Sequence, residues 1–424
     1  VPIGSGDGKE TERAVRGTGW DQKRRSPLAR PALAGPILAV LFWAVLVLIA
    51  LFLAGCGDGR PREEAQLRIG LNLALSGDLA GYGLPALKAV ELAAKEVNRS
   101  GGLAVNGRKH KIVLFVQDNQ GRPDQSISAA RQLIHNDQVA AMIGPSISGN
   151  AIPTARVAEQ AGVVLLSPMS TNPATTQDKK YVFRAVFTDP FQGRVMAEFA
   201  LQELKAGRAA VLFDAAGAYS QGIAAIFRRI FESGGGKVVA FETYTTDDRR
   251  SFSVQLSRIR EARAQVLYLP NYELDVELQA GQARELGIQA VLLGSDAWDF
   301  QKYSSWPEFQ GSYLTVAWSG RSNGGRALEF IQAYARVHRS PPPPVAALAY
   351  DCLGLVTAAA AFAGGVERKA IRDGLYLMEP YPGVTGAIDF IDSGDPLKTV
   401  EILKIENGEA RLYIRVQPDG RIGE

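Results

Sequence analysis

Two short runs in this sequence gather hydroxyls, small side chains and glycine as anion binding requires. One is Gly144-Pro145-Ser146-Ile147-Ser148-Gly149-Asn150; the other is Ser167-Pro168-Met169-Ser170-Thr171-Asn172-Pro173. Small residues let backbone amides approach a ligand, hydroxyls donate, and a helix N-terminus behind the loop favours negative charge. Ordinary turns and N-caps use the same residues, with Ser148 and Thr171 as the capping candidates. Asp296, within Gly294-Ser295-Asp296-Ala297-Trp298, is a carboxylate suited to a cation. Tyr82, Tyr219 and Tyr272 offer apolar walls with a polar tip, and Asn271 adjoins the last of these. A single loop Asp or Tyr also commonly faces solvent.

Catalytic patterns are weak. The three histidines, His110, His135 and His338, lack metal-ligand spacing. Residues 144–148 miss the G-x-S-x-G nucleophile elbow at its last position. Neither a Walker loop nor a dinucleotide fingerprint occurs. Asp247-Asp248 stands beside Arg249-Arg250 and reads as a solvated turn. The expectation is a protein that is not an enzyme and needs neither metal nor cofactor.

Cysteine is scarce, and one of the two copies is placed for chemistry. Lys23-Arg24-Arg25 and Arg30 precede an uncharged apolar run over residues 37–54, which closes as Leu53-Ala54-Gly55-Cys56. The order basic, apolar, small-small-Cys resembles a bacterial lipoprotein signal. Small residues let the backbone enter a signal peptidase, and the Cys56 thiol would carry the lipid. The run is also near the lower limit of about 18 residues for a spanning helix, so an uncleaved anchor is the alternative. Either reading leaves the remaining chain extracytoplasmic. The other cysteine, Cys352, has no partner and lies in an apolar stretch, as a small buried hydrophobe would.

Seven Lys and Arg and four Asp and Glu precede Cys56, which accounts for the whole formal charge of +3. The rest of the chain is neutral and has no global electrostatic reason to bind nucleic acid. Its length suggests two lobes.

The residues between must position those loops. After a polar spacer, short apolar runs alternate with amphipathic stretches. Strands are expected near 69–75, 111–116, 139–143 and 163–166, with helices over 84–97, around 127–134 and through 157. The pattern restarts with strands near 209–213, 237–241, 266–269 and 290–293 and helices at 223–231, 252–259 and 274–286. Alternation of this kind implies parallel sheets with crossover helices, and ligands bind beyond the carboxyl ends of such strands. From residue 325 the chain turns helical, with a Pro-rich break at 341–344. Strand character returns after residue 384.

The order of motifs is similar to that of the periplasmic branched-chain amino-acid binding proteins, the type I solute-binding proteins of ABC transporters. The carrying residues are Ser76-Gly77 with Tyr82-Gly83, Gly101-Gly102 with Asn106-Gly107, Gln117-Asp118, Ile143-Gly144-Pro145-Ser146, Ser167-Pro168 with Thr171-Asn172-Pro173, Phe183-Arg184-Ala185, Gly294-Ser295-Asp296 and Tyr350-Asp351. The resemblance runs from Arg68 to about Pro396. It implies two Rossmann-like α/β lobes joined by a hinge with three crossings, closing on a small molecule. Residues 1–55 would be leader and 56–66 tether, 67–188 and 319–384 the first lobe, and 189–318 and 385–424 the second.

The resemblance also implies a site. Ser148 and Thr171, with backbone from Ser146 and Met169, would hold an amino-acid carboxylate, and Asp296 its ammonium. Tyr82, Tyr219 and the Asn271–Tyr272 region would form the walls. Asp296 stands where the branched-chain binders carry Glu, one methylene shorter. The implied protein is a monomeric, lipid-anchored binding protein that serves an ABC permease. A membrane-tethered sensor of the same fold, for an amide or a small carboxylate, is the competing reading.

Overall fold

The computed structural model describes residues 40–49, 65–245, 251–321 and 324–423. It divides into two units, Val1–Glu63 and Glu64–Glu424. In the first, the described element is the apolar helix α1 (Val40–Ile49). Cys56 lies outside the described residues, as do Asp247, Asp248, Arg249 and Arg250.

The second unit opens with β1 (Gln66–Leu73), α2 (Ala80–Arg99), β2 (Leu103–Val105), β3 (Arg108–Asp118), α3 (Pro123–His135), β4 (Ala141–Ile143), α4 (Ser148–Ala161), β5 (Val164–Ser167) and β6 (Val182–Arg184). These strands form one sheet in the order β2-β3-β1-β4-β5-β6. All neighbours are parallel except β2, which pairs antiparallel with β3. The central strands read as apolar runs because helices cover both faces: Leu67, Ile69, Leu71 and Leu73 of β1 are fully buried.

The chain then crosses to a second sheet. Its elements are α5 (Asp189–Gln202), β7 (Arg208–Asp214), α6 (Ala218–Ser233), β8 (Lys237–Tyr244), α7 (Ser253–Ala262), β9 (Val266–Tyr268), α8 (Glu273–Glu285), β10 (Val291–Gly294), α9 (Phe300–Tyr303) and β11 (Tyr313–Val316). It returns as α10 (Gly325–His338), α11 (Pro344–Ala363) and α12 (Arg368–Leu377), with the hairpin β12 (Tyr381–Gly383) and β13 (Gly386–Ile388). Helix α11 packs on α2 and over β4 and β5. It is long and apolar enough to cross a membrane, yet 72% of its most apolar window is buried within the fold, so it is a core helix. Cys352, on α11, is fully buried. A third crossing leads to β14 (Val400–Glu406), β15 (Glu409–Val416) and β16 (Ile422–Gly423). The second sheet runs β16-β15-β14-β11-β10-β9-β7-β8. Its core is parallel, and β14 to β16 extend it antiparallel from β11.

The expected fold class, two parallel-rich α/β lobes, is the one observed. The division at 384/385 differs from the packing. That boundary cuts the β12–β13 hairpin, where the buried Asp351 carboxylate accepts from the backbone of Val384 and Thr385 and from the Thr385 hydroxyl. Phe390 packs its ring on Phe183, and Asp395 pairs with Arg184 at 2.6 Å. Residues 385–395 therefore pack with the first lobe, and the chain changes sheet only afterwards.

Two glycines set the loops at the strand ends. Gly144 follows β4 with φ +91, and a Cβ there would sit 2.3 Å from the Asn72 carbonyl oxygen. Only glycine takes that backbone at that distance. At Gly83, in the first turns of α2, a Cβ would lie 1.8 Å from the Ala74 carbonyl oxygen, so the helix presses directly on the loop after β1.

Candidate functional site

The two hydroxyl-rich loops lie side by side at the carboxyl ends of β4 and β5. The Ser167 hydroxyl donates to the Pro145 carbonyl at 2.6 Å and so ties one loop to the other. Ser170 Oγ donates to Ser148 Oγ at 3.0 Å and shares a 2.7 Å contact with Thr175 Oγ1. The hydroxyls of Ser146 and Thr171 are buried, and neither has a hydrogen-bond partner among the described residues. The first turn of α4 begins at Ser148, and Ile147 supplies no side-chain cap. The N–H groups of Asn150 and Ala151 bond the Ile147 carbonyl, which leaves those of Ser148 and Gly149 without an intrahelical acceptor. Orphaned hydroxyls, free amides and the positive end of a helix together make an anion-binding surface.

Arg184 explains how the second loop keeps its shape. Its guanidinium is fully buried and donates to the carbonyls of Ser170 and Asn172, to Thr176 Oγ1 and to Asp395. Burial lowers its pKa, and Asp395 offsets that. Thr171 is thereby held from both sides.

Facing this surface is a pair of carboxylates. Asp296 Oδ1 accepts from the Tyr219 hydroxyl at 2.6 Å and from Gln192 Nε2 at 2.9 Å. The same Gln192 nitrogen donates to Asp189 Oδ1 at 3.1 Å, and its carbonyl oxygen accepts from Thr315 at 3.0 Å. One amide thus bridges two buried acids. Burial raises Asp296 to about 6 against the Tyr219 and Gln192 hydrogen bonds. Asp189 rises to about 7, chiefly through burial and further through Asp296, while the nearby Thr171 hydroxyl and Gln192 act to lower it. Asp189 Oδ2 makes no hydrogen bond of ordinary geometry, so the influence of Thr171 is proximity rather than a formed bond. Two desolvated acids, of which only Asp189 feels a cation (Arg184) among the described residues, suit a ligand that brings positive charge.

The walls are aromatic. Tyr272 stacks on Tyr219 with centroids 5.2 Å apart and meets Tyr82 edge-on at 5.7 Å. Among the hydrogen bonds that join the lobes, Tyr82 donates its hydroxyl proton to the Ala297 carbonyl at 2.8 Å, Asn172 Nδ2 donates to the Ala218 carbonyl at 2.8 Å, and Gln301 Nε2 donates to the Pro342 carbonyl at 3.2 Å. Outside Tyr82 and Tyr272 opens a cleft of 510 Å³, lined from the first lobe by Asp78, Ile147 and Asn150 and from the second by Asp214 and Glu273.

Of the residues singled out in the sequence, Ser146, Ser148 and Thr171 gather on the first lobe, and Tyr219, Tyr272 and Asp296 on the second, with Tyr82 between. Met169 sits in the second loop, its side chain half-buried against the core. Asn271 is not brought into the site. Its Nδ2 donates to the Leu212 carbonyl and to Gln279, and its Oδ1 accepts from Asp214 N. Those bonds make it a strut between β7 and α8, which follows from its burial within the turn. Trp298 is likewise structural, buried with its indole N–H on the Leu269 carbonyl. Asp189 and Gln192 were missed. An acid at the first position of a helix reads as an ordinary dipole partner, and only the i, i+3 spacing to Gln192 hinted at a shared face.

Comparison with known proteins agrees with this architecture. The profile described as periplasmic binding protein matches residues 66–409. Leu/Ile/Val-binding protein homolog 3 of Brucella melitensis biotype 1 is 29% identical over 356 residues, covering 81% of this chain and 93% of that protein. The leucine-binding protein LivK of Thermotoga maritima MSB8 superposes with a TM-score of 0.78 at 28% identity, over 83% of this chain and 99% of that one. LivJ of Streptococcus pneumoniae, a branched-chain amino-acid transporter substrate-binding protein solved with isoleucine, gives 0.74 at 29% identity, over 82% and 99%. These relatives are binding proteins, not enzymes. The chain belongs to the periplasmic binding protein family, whose members work outside the cytoplasm.

Proposed function

We propose that this chain is the substrate-binding protein of an ABC transporter and that it captures an amino acid, branched-chain or related, between its lobes. The observation that carries this reading is the polarity of the site. The unpaired hydroxyls of Ser146 and Thr171 lie in the loops by the α4 N-terminus, the buried acid Asp296 lies on the other lobe, and Asp189, close to Thr171 and joined to Asp296 through Gln192, lies between them. A zwitterion with its carboxylate at the first end and its ammonium at the second satisfies both. Tyr82, Tyr219 and Tyr272 would enclose the side chain. The relatives that bind leucine, isoleucine or valine support the same class. Cys56 would carry the lipid that holds the domain at the membrane, where it would act as a monomer and deliver ligand to a permease.

A thermal-shift screen tests this with L-leucine, its deaminated analogue 4-methylpentanoate and its decarboxylated analogue isopentylamine. The expected result is a shift with leucine that exceeds both analogues. A larger shift with 4-methylpentanoate would favour the sensor reading for a carboxylate or amide. One observation gives that second reading a footing: an Asp296 that titrates near 6 can donate a proton to a neutral ligand.

A further inference from the structure

The mouth of the cleft contains a carboxylate that the site does not use. Glu273 opens α8 in the second lobe, and its carboxylate lies over the first lobe: a Cβ on Gly81 of α2 would be 3.3 Å from Glu273 Oε2. The next residue of α2, Tyr82, makes the bond to Ala297, and its hydroxyl oxygen receives a long 3.4 Å contact from the Glu273 backbone N–H. Among the described residues no donor holds the Glu273 carboxylate.

Its charged surroundings are mostly acidic. Glu277 lies one turn along α8, with its own carboxylate taken by Lys302 and Tyr303. Asp299, just before α9, caps that short helix through the backbone of Gln301 and Lys302. Among the described residues, Lys302 is the one cation acting on Glu273, and its ammonium is 2.6 Å from Glu277. From the first lobe, Gly81 brings no charge and Tyr82 only its hydroxyl, while Asp78 and Arg122 line the far side of the same mouth.

We propose that Tyr82 and Glu273 form a proton-dependent latch across the mouth: closing the lobes takes up a proton on Glu273, so ligand capture strengthens as the pH falls. This rests on the interlobe binding reading above. In the closed arrangement, burial chiefly, then Asp299 and Glu277, raise Glu273 to about 7 from the ordinary 4.5. Opening removes Gly81 and Tyr82 from the carboxylate and returns it toward water, while Asp299, Glu277 and Lys302 of its own lobe stay beside it, so its pKa falls back toward the ordinary value. The closed state then binds more protons than the open one between those two values. Closure is favoured below about 7 and loses that advantage as pH rises through 7. Ligand pairing at Asp296 and Asp189, raised to about 6 and about 7, acts with the opposite sign, because an ammonium favours their ionised forms and drives protons off.

The test is calorimetry of L-leucine with the full-length chain at pH 6 and pH 8, in two buffers of different ionisation enthalpy. The expected result is up to about tenfold tighter binding at pH 6, with net proton uptake between. Glu273→Gln should still bind leucine and should lose both the difference and the uptake. An unchanged pH dependence in that variant overturns the latch while leaving the binding reading intact. If leucine and the other amino acids fail to bind, that reading fails instead, and the latch is read by X-ray scattering without ligand. A smaller radius at pH 6 than at pH 8, present in the natural chain and lost in Glu273→Gln, supports it. Equal radii at the two pH values in the natural chain refute it.

Discussion

Replacing Asp296 with Asn is the sharpest probe of the cation end. The carboxamide keeps an oxygen where Tyr219 and Gln192 donate at 2.6 and 2.9 Å, so the local bonds survive and the charge alone is removed. Truncating one partner of a buried ion pair costs about 2–5 kcal/mol. Here the loss falls in the lower part of that range, because Asp189 shares the Gln192 amide at 3.1 Å. With the Asp296 charge gone, one influence that raises Asp189 is gone too, and it ionises more readily beside the ligand. A loss of about 2–3 kcal/mol is about 30- to 150-fold in affinity for leucine. The deaminated analogue 4-methylpentanoate lacks the ammonium and should lose less than about threefold, or gain where like-charge repulsion is relieved. Titration calorimetry on both ligands at pH 7.5 separates the cases. Equal losses on leucine and the analogue would refute the assignment of Asp296 to the ammonium. An unchanged leucine affinity would refute it more completely and point to a ligand without an amine.

Three further outcomes are expected. Thr171→Val removes an unpaired hydroxyl at the anion end, and it should weaken leucine and 4-methylpentanoate alike by about 1–2 kcal/mol, read by the same calorimetry. Asn271→Ala strips the strut between β7 and α8 and should lower stability by about 2–3 kcal/mol in urea unfolding; a stability equal to that of the natural chain would mean the strut carries nothing. Cys56→Ser should leave the precursor uncleaved or the domain released from membranes, as fractionation would reveal; normal processing and retention would favour an uncleaved anchor.

Much of the fold was legible because buried parallel strands announce themselves. Runs such as Val211-Leu212-Phe213 have no reason to be apolar throughout unless covered on both faces. Strands that escaped detection, β2, β6 and β11 among them, span three or four residues, too few for a period to show. The end proposed for the anion was readable as a hydroxyl cluster because its hydroxyls fall within two short runs. The cation end was half legible. Asp296 follows a strand directly, but its companion Asp189 comes from a helix start more than a hundred residues earlier. Their union through Gln192 exists only in three dimensions. Asn271 illustrates the opposite error: a polar residue at a strand end looks available until its partners are seen. Arg184 and Asp351 stood out as motif residues, and both proved to be clamps, one on the Ser170–Asn172 loop and one on the hairpin before the third crossing.

The interleaved path of the chain has a consequence for its synthesis. The apolar face of α2 is covered by α11, and the edge of β11 is closed by β14, both from the last third of the sequence. A nascent chain that has reached residue 340 therefore presents an uncovered helix face together with an open strand edge, and neither lobe can finish before the other has begun. Such an intermediate is prone to aggregate if it lingers in solution. The same incompleteness leaves both lobes open until α11 and β14 have been made, so the last third of the chain is what locks the other two.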